Sequence, residues 1–527
     1  MLSHKIRATS TLLLTCVLLV SGCAESAPSI NPITDTIQED SLTTPDPALS
    51  TAIALESISP KILTDQNGYR TGASKTVLFI NKDLDTSKLP STFEIRKTAD
   101  DAVVFTASIT WSLDKAGDTG ECIGSGTFTD YQTDGDYYIY AEGLGDSCSF
   151  SIGDGVYDML YESALRQYYL NRCGVALTQE YAGDDARGIC HSDLATYKSD
   201  SSKTLDITGG WHLDSNADRD VETGCLIIDN LLLSYEMNPE VFTKDCGIPE
   251  SGDDVPDVLD EIRYEADWLL KMQDKSTGGV YASALTNAKA GQNLSMAQVI
   301  VTDVTPQATI SFAATLGWCS YVYGDIDPDF SKKCLDASKK AYEAASSMGA
   351  LGSYDASFLA AAQLYRLTGD KTYENCLSTY FKSSSFESDF IMNDCIFMGG
   401  ICYLKTTQPV NRDVCSKIMG ALIGEAETIS VASKKSDYMI STGSYDDITT
   451  ILRNMRCLTV TNHIIYSQEY VEIIENHAHF LLGRGPSGAN LATDTTEYTY
   501  KENGTKTGIL YDPILDAEFL ILLSAIM

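Results

Sequence analysis

The sequence predicts a two-part, multidomain chain: an N-terminal β-sandwich followed by a large all-α domain. Two changes of texture carry this expectation. From about Pro60 to Ile152, short runs rich in β-branched and aromatic residues, such as Lys75–Ile80 and Asp136–Tyr140, alternate with Gly, Asp and Asn, as expected of paired strands. From about Tyr157 onward, apolar residues recur at helical spacing. The 43% hydrophobic content suits a well-packed interior.

The clearest helix is Pro256–Met272. Ile262, Ala266, Leu269 and Leu270 share a face, Pro256 suits a first turn, and Asp257, Asp260 and Glu261 favour the positive helix end. Lys271 favours the other end, and Gly278-Gly279 follow. Further helices are expected over Thr309–Tyr323, Phe330–Ala345, Ser357–Leu367, Asp413–Ala426, Ile448–Val460, Tyr470–Leu482 and Ile514–Ile526. Short and medium connections between them make antiparallel neighbours.

Ahead of these parts, Lys5 and Arg7 precede the apolar run Leu12–Val20 and then Ser21-Gly22-Cys23. The run is too short to span a bilayer and reads as a secretory signal. Small residues before a cysteine resemble the lipobox of bacterial lipoproteins, which makes Cys23 the lipid attachment site and residues 1–23 the signal. Residues 24–55 are rich in Ser, Thr, Pro and Asp and read as a flexible tether. The expected localisation is extracytoplasmic, with membrane contact through the lipid alone.

The net charge of −35 excludes nucleic acid and anionic polymers as natural partners; a neutral polysaccharide is permitted. Of the fifteen cysteines, those beyond Cys23 allow disulfides whose pairing spacing does not fix. With no CxxC pair and no compact ligand cluster, no zinc site is expected. Cys319 and Cys334 fall in apolar helical patterns, as buried thiols do.

Several segments, in order, resemble the family 9 glycoside hydrolases, mostly cellulases and related β-glycanases. Asp65-Gln66-Asn67-Gly68-Tyr69 is similar to the family's NQxGY opening, and Gly135–Gly153 to its closing strands. Tyr168–Gly174 resembles the first barrel helix, followed by Cys190-His191. The most specific stretch is Glu250–Gln273, ESGDDVPDVLDEIRYEADWLLKMQ, against the family's ESGNGIPDLLDEIRWELDWLLKMQ. Ala360–Tyr373 and Phe480–Gly488 extend the match. The resemblance implies an immunoglobulin-like sandwich over 56–153, then an (α/α)6 barrel over 154–527. It further implies a sugar-binding cleft on the barrel's loop face and a neutral β-glycan or oligosaccharide as partner. It names no certain cofactor; calcium is allowed by some relatives, but no calcium ligand maps onto this chain.

Inverting glycoside hydrolysis needs a carboxylic acid on one side of the bond and a carboxylate base, activating water, on the other. In the family both aspartates of GGWHDAGDYGKYV serve this end, the second as base, and a glutamate near the C-terminus is the acid. Here the stretch reads Gly209-Gly210-Trp211-His212-Leu213-Asp214-Ser215-Asn216-Ala217-Asp218-Arg219-Asp220-Val221. The first aspartate falls on Leu213 and the base on Asn216. Asp214 and Asp218 are either substitutes in a shifted loop or solvated loop carboxylates. The acid falls near Asp512, and a shift of a few residues places Leu510 or Tyr511 there; Asp512 is also a natural helix-start residue before Pro513. The family's His–Arg motif in this region has no counterpart, and the Pro486–Asp512 stretch is short. Thr442-Gly443-Ser444-Tyr445 resembles the family's WGSN with its tryptophan replaced, leaving Tyr445 as an altered sugar contact. Trp211 and His212 are retained, as sugar contacts or as structural residues. The sequence thus keeps the scaffold of a β-glycan hydrolase and changes its chemistry. The alternative to an enzyme is a non-catalytic glycan-binding or interaction protein.

Overall fold

The computed structural model describes residues 60–81, 88–112, 122–493 and 508–527. The expected signal, Cys23 and tether lie outside the described residues. Residues 59–527 form one compact unit.

Ten strands build the N-terminal sandwich: β1 (Ile62–Leu63), β2 (Gly68–Tyr69), β3 (Thr76–Asn81), β4 (Thr92–Lys97), β5 (Val103–Ser108), β6 (Thr110–Trp111), β7 (Cys122–Thr127), β8 (Gly135–Ala141), β9 (Gly145–Asp146) and β10 (Phe150–Ile152). One sheet has the order β1-β3-β7-β6; the other runs β2-β10-β8-β4-β5, with β9 on β8. β3 explains its own continuous apolar run. Val77 and Phe79 enter the sandwich core, while Leu78 and Ile80 join the core of the helical domain, so both faces of the strand are covered.

Among the described residues fourteen α-helices follow: α1 (Asp158–Leu170), α2 (Gln179–Ala182), α3 (Val221–Met237), α4 (Asp257–Met272), α5 (Pro306–Val322), α6 (Pro328–Ser347) and α7 (Ala356–Thr368) come first. Then come α8 (Lys371–Phe381), α9 (Phe386–Met392), α10 (Asp394–Lys405), α11 (Arg412–Lys435), α12 (Ile448–Ile464), α13 (Gln468–Leu481) and α14 (Pro513–Ile526). Short strands β11 (Ala195–Tyr197), β12 (Thr204–Leu205), β13 (Arg219–Asp220), β14 (Val280–Tyr281), β15 (Ser283–Asn287), β16 (Gln298–Val301) and β17 (Val304–Thr305) line the long loops before α3 and α5. Helices α3, α5, α7, α10, α12 and α14 form the inner ring of an (α/α)6 barrel. α3 packs on α5, α5 on α7, α7 on α10, α12 on α14 and α14 on α3. Arg456 of α12 closes the ring by bonding Asp394 of α10, and it also reaches Glu518 of α14 at 3.6 Å.

Most boundaries fall within a few residues of the sequence pattern. α7 stops as expected, with Gly369 taking a left-handed φ of 67°. α11 continues past Ala426 to Lys435 because Ile429 and Ser433 keep to its buried face, although Thr428, Ile429 and Val431 weaken helix propensity. α3 and α10 lack a clear amphipathic period because, as inner helices, they are covered nearly all round.

The sandwich is bonded to the barrel by the two motifs Asp65–Tyr69 and Phe480–Gly488. Gln66 N donates to Leu482 O at 2.8 Å, Gln66 Nε2 to Gly488 O at 2.6 Å, and Asn490 Nδ2 to Asn67 Oδ1 at 2.9 Å. Asp65 Oδ2 accepts from Tyr157 at 3.0 Å and lies 2.8 Å from His479 Nδ1, all three side chains being buried.

Candidate functional site

The loop that should carry the base begins at Gly209-Gly210, both at positive φ, which lets Trp268 pack where a Cβ on Gly210 would stand. Trp211 follows, 1% exposed. Its backbone N–H donates to Glu265 Oε2 at 2.7 Å, its indole N–H to Glu261 Oε2 at 3.2 Å, and its ring lies 4.9 Å from that of Tyr168. A ring so enclosed offers no face to a sugar, so the sugar-contact expectation for Trp211 is corrected to a structural role. Burial pushes the two acids that hold it up, Glu261 to about 7 and Glu265 to about 8.

Beyond Leu213 the chain turns on Asp214. Its Oδ1 accepts from the N–H groups of Asn216 and Asp218, both at 2.9 Å, and Ala217 takes a left-handed φ of 61°. Asp218 is held in turn by Thr286, whose N–H donates to Oδ1 at 2.6 Å. Asn216, at the base position, is an exposed amide. Asp214 therefore organises the loop's own backbone, and Asp218 ties the loop to β15. At the far end, Asp512 caps α14, accepting from Ile514 N at 3.0 Å and Leu515 N at 3.2 Å, while Leu510 is buried. Its helix-start role is the one the geometry displays.

Tyr445 sits two residues before Asp447, the cap of α12, and so lies on the face where the inner helices begin. It packs against Tyr438, ring centroids 4.8 Å apart, and lines a hollow of about 310 Å³ with Ser436, Asp437 and Thr442. On the same face, Glu222 in the first turn of α3 accepts from Gln307 Nε2, and burial, then the charge of Asp220, raises its carboxyl.

A second constellation was not foreseen. Cys173, Cys190, His191 and His212 bring four donor atoms within 4.8 Å of one another. Cys173 Sγ and Cys190 Sγ are 3.9 Å apart, Cys173 Sγ is 3.4 Å from His191 Nδ1, and Cys190 Sγ is 3.7 Å from His212 Nε2. A tetrahedral zinc with bonds of about 2.3 Å to sulfur and 2.0–2.1 Å to nitrogen has S–S edges of ~3.8 Å and S–N edges of ~3.6 Å. The residues fit that ion. His191 Nε2 lies 2.8 Å from Leu294 O, so Nε2 carries the proton and Nδ1 is left to bind metal. Gly174 N and Arg187 donate to Cys190 Sγ at 3.4 and 3.1 Å. Four protein ligands leave no open position, so the ion would brace the loop ahead of Trp211 and activate no water. The cluster is a ligand set that the expectation of no metal did not include, and it sets His212 beside Cys190. The ligands come from three separate loop segments, so no tight motif marks them; the adjacent Cys190-His191 pair was the available signal.

The architecture is a β-sandwich on an (α/α)6 barrel with long loops over one barrel end. The glycosyl hydrolase family 9 model matches residues 157–502, and the cellulase N-terminal ig-like domain matches residues 57–146. The chain belongs to glycosyl hydrolase family 9. It is 27% identical over 427 residues to endoglucanase D of Acetivibrio thermocellus, covering 75% of this chain and 67% of that protein. The chain spans about two thirds of the length of that relative. A xyloglucan-specific endo-beta-1,4-glucanase of Bacteroides ovatus is 28% identical over 256 residues, 45% of this chain and 42% of its own. Among solved structures, a Bacteroides ovatus GH9 protein superposes with a TM-score of 0.75 at 18% identity, covering 89% of this chain and 99% of its own. A metagenome-derived family 9 endoglucanase gives 0.77 at 20%, covering 88% and 98%. These likenesses establish the shared fold.

Proposed function

We propose that the protein is a lipid-anchored surface member of family 9 that holds neutral β-glycan chains without cleaving them. The observation that carries this reading is the loop after Trp211. Where the family's reaction needs a free carboxylate base, an amide stands at Asn216; Asp214 beside it accepts its own loop's N–H groups, and Asp218 accepts the N–H of Thr286. Asp512 is likewise engaged by its helix. The basic residues, short apolar run and Cys23 support the anchor, and the relatives' names point to β-glucans as the ligand class.

The test is a screen of the chain from residue 56 onward on β-glucan, xylan, mannan and chitin oligosaccharides, for both hydrolysis and binding. Binding without turnover is expected. Turnover lost in Asp214→Ala, Asp218→Ala or Asp512→Ala would overturn the reading. A Cys23→Ala full-length chain should leave the membrane fraction if Cys23 carries the lipid.

A second reading is favoured by Glu222. A carboxyl raised by burial and by a neighbouring acid is suited to act as a general acid. Under that reading the site is a rebuilt hydrolase, and Glu222→Gln abolishes turnover that Glu222→Asp partly keeps.

A further inference from the structure

A sizeable hollow lies beside the C-terminal turn of α4. It measures about 830 Å³ and is walled by Tyr197, Leu205, the last turn of α4 at Leu270 and Lys271, and Tyr281. Small-molecule sites commonly span about 300–1,000 Å³. Its aromatic pair is fixed: the rings of Tyr197 and Tyr281 meet edge to face at 5.6 Å and 72°, and Tyr281 donates its hydroxyl to Asp274 Oδ2 at 3.0 Å. Both rings are partly exposed.

Five of the six charged side chains lining this hollow are engaged within the protein, Lys275 being the exception. Lys271 Nζ donates to Thr208 O at 2.7 Å and lies 3.7 Å from Asp206; Lys333 Nζ lies 3.2 Å from Asp267. Asp274 is held well below the ordinary carboxylate range by hydrogen bonds, that of Ser276 foremost, and stays ionised within a shell of donors. An uncharged polyol can enter without breaking these contacts.

A smaller hollow of about 270 Å³ shares Asp267 and Lys271 with the first and continues past Thr208 and Gly209 to Tyr264 and Trp268. Trp268 is 1% exposed, and its indole N–H is buried with no acceptor in the protein. Buried indole N–H groups ordinarily find a partner.

We infer that these joined hollows are a second glycan-binding site, taking a short stretch of neutral β-glucan on the Tyr197–Tyr281 pair. This inference rests on the glycan-binding reading above and adds a site which that reading does not need. It gives the chain two points of attachment to one polymer, and so an avidity set by their spacing.

The experiment is titration calorimetry of the full chain with cellohexaose, on the wild type, Tyr197→Ala, Tyr281→Phe and Tyr445→Ala. Thermal melts of each serve as the folding control. Two molecules bound per wild-type chain are expected. Tyr197→Ala should weaken one of the two by about tenfold, the effect of losing one aromatic contact. Tyr281→Phe, which keeps the ring, should weaken the same site less, and Tyr445→Ala should spare it. One molecule bound, lost in Tyr445→Ala and unchanged in both tyrosine variants of the hollow, overturns the second site and leaves the first reading standing. No binding by the wild type overturns both.

Discussion

His479 and Asp65, distant in the sequence, meet as a buried pair with Nδ1 and Oδ2 2.8 Å apart, at the seam between sandwich and barrel. The same carboxylate takes the Tyr157 hydroxyl, and Asn67 N donates to its other oxygen at 2.8 Å. One acid therefore sets the chain's entry into the sandwich and its attachment to α13. Removing it takes an acceptor from His479, from the Tyr157 hydroxyl and from the N–H groups of Asn67 and Gly68. Asp65→Ala should cost about 3–5 kcal/mol in chemical denaturation. An effect below about 1 kcal/mol would mean the seam is held elsewhere.

The cysteine–histidine cluster predicts a metal-dependent fold. Elemental analysis of purified protein should find one zinc per chain. A strong chelator should remove it and lower Tm by several degrees, and Cys190→Ser should reproduce both effects. Because the ligands brace the loop ahead of Trp211, protease cutting near residues 174–190 should quicken in the stripped protein. Metal-free protein with an unchanged melt would refute the assignment.

Asp512 offers a test that separates a cap from an acid. As the cap of α14 its loss should cost about 1 kcal/mol, and Asp512→Asn or Asp512→Ser should restore most of that. An acid would not be rescued by serine in any activity assay.

The acids behind Trp211 make stability depend on pH. Burial raises Glu265 to about 8 and Glu261 to about 7, above the ~4.3 of an unfolded glutamate. The folded state thus holds protons that the unfolded state has released. Stability from these groups is full below about pH 4.3 and falls as pH rises to about 8. Glu265→Gln should flatten the fall in Tm between pH 5 and 8, as read by thermal melts across that range.

Architecture was more legible than chemistry, for reasons that particular residues show. The helix Asp257–Met272 carries its own start signals and a clean apolar face, so local sequence suffices. Helices α3 and α10 have no such face because they are surrounded, and only tertiary context identifies them. Trp211 and His212 stand in a conserved-looking string, yet one is enclosed by Glu261 and Glu265 and the other faces Cys190. Neither environment can be read without the chain segments that return to them. Asn216 was readable directly, since an amide in place of a carboxylate needs no coordinates to interpret. The hollow at Tyr197 and Tyr281 left no trace, because its walls come from β11, α4, α6 and β14.

None of the thirteen cysteines from Cys122 onward is in a disulfide, and Cys148 is the one exposed among them. For the experimenter, the uneven exposure is a convenience. A bulky maleimide dye should find Cys148 first, at the end of the sandwich between β9 and β10. It would place a single reporter there without any cysteine having to be engineered in or out.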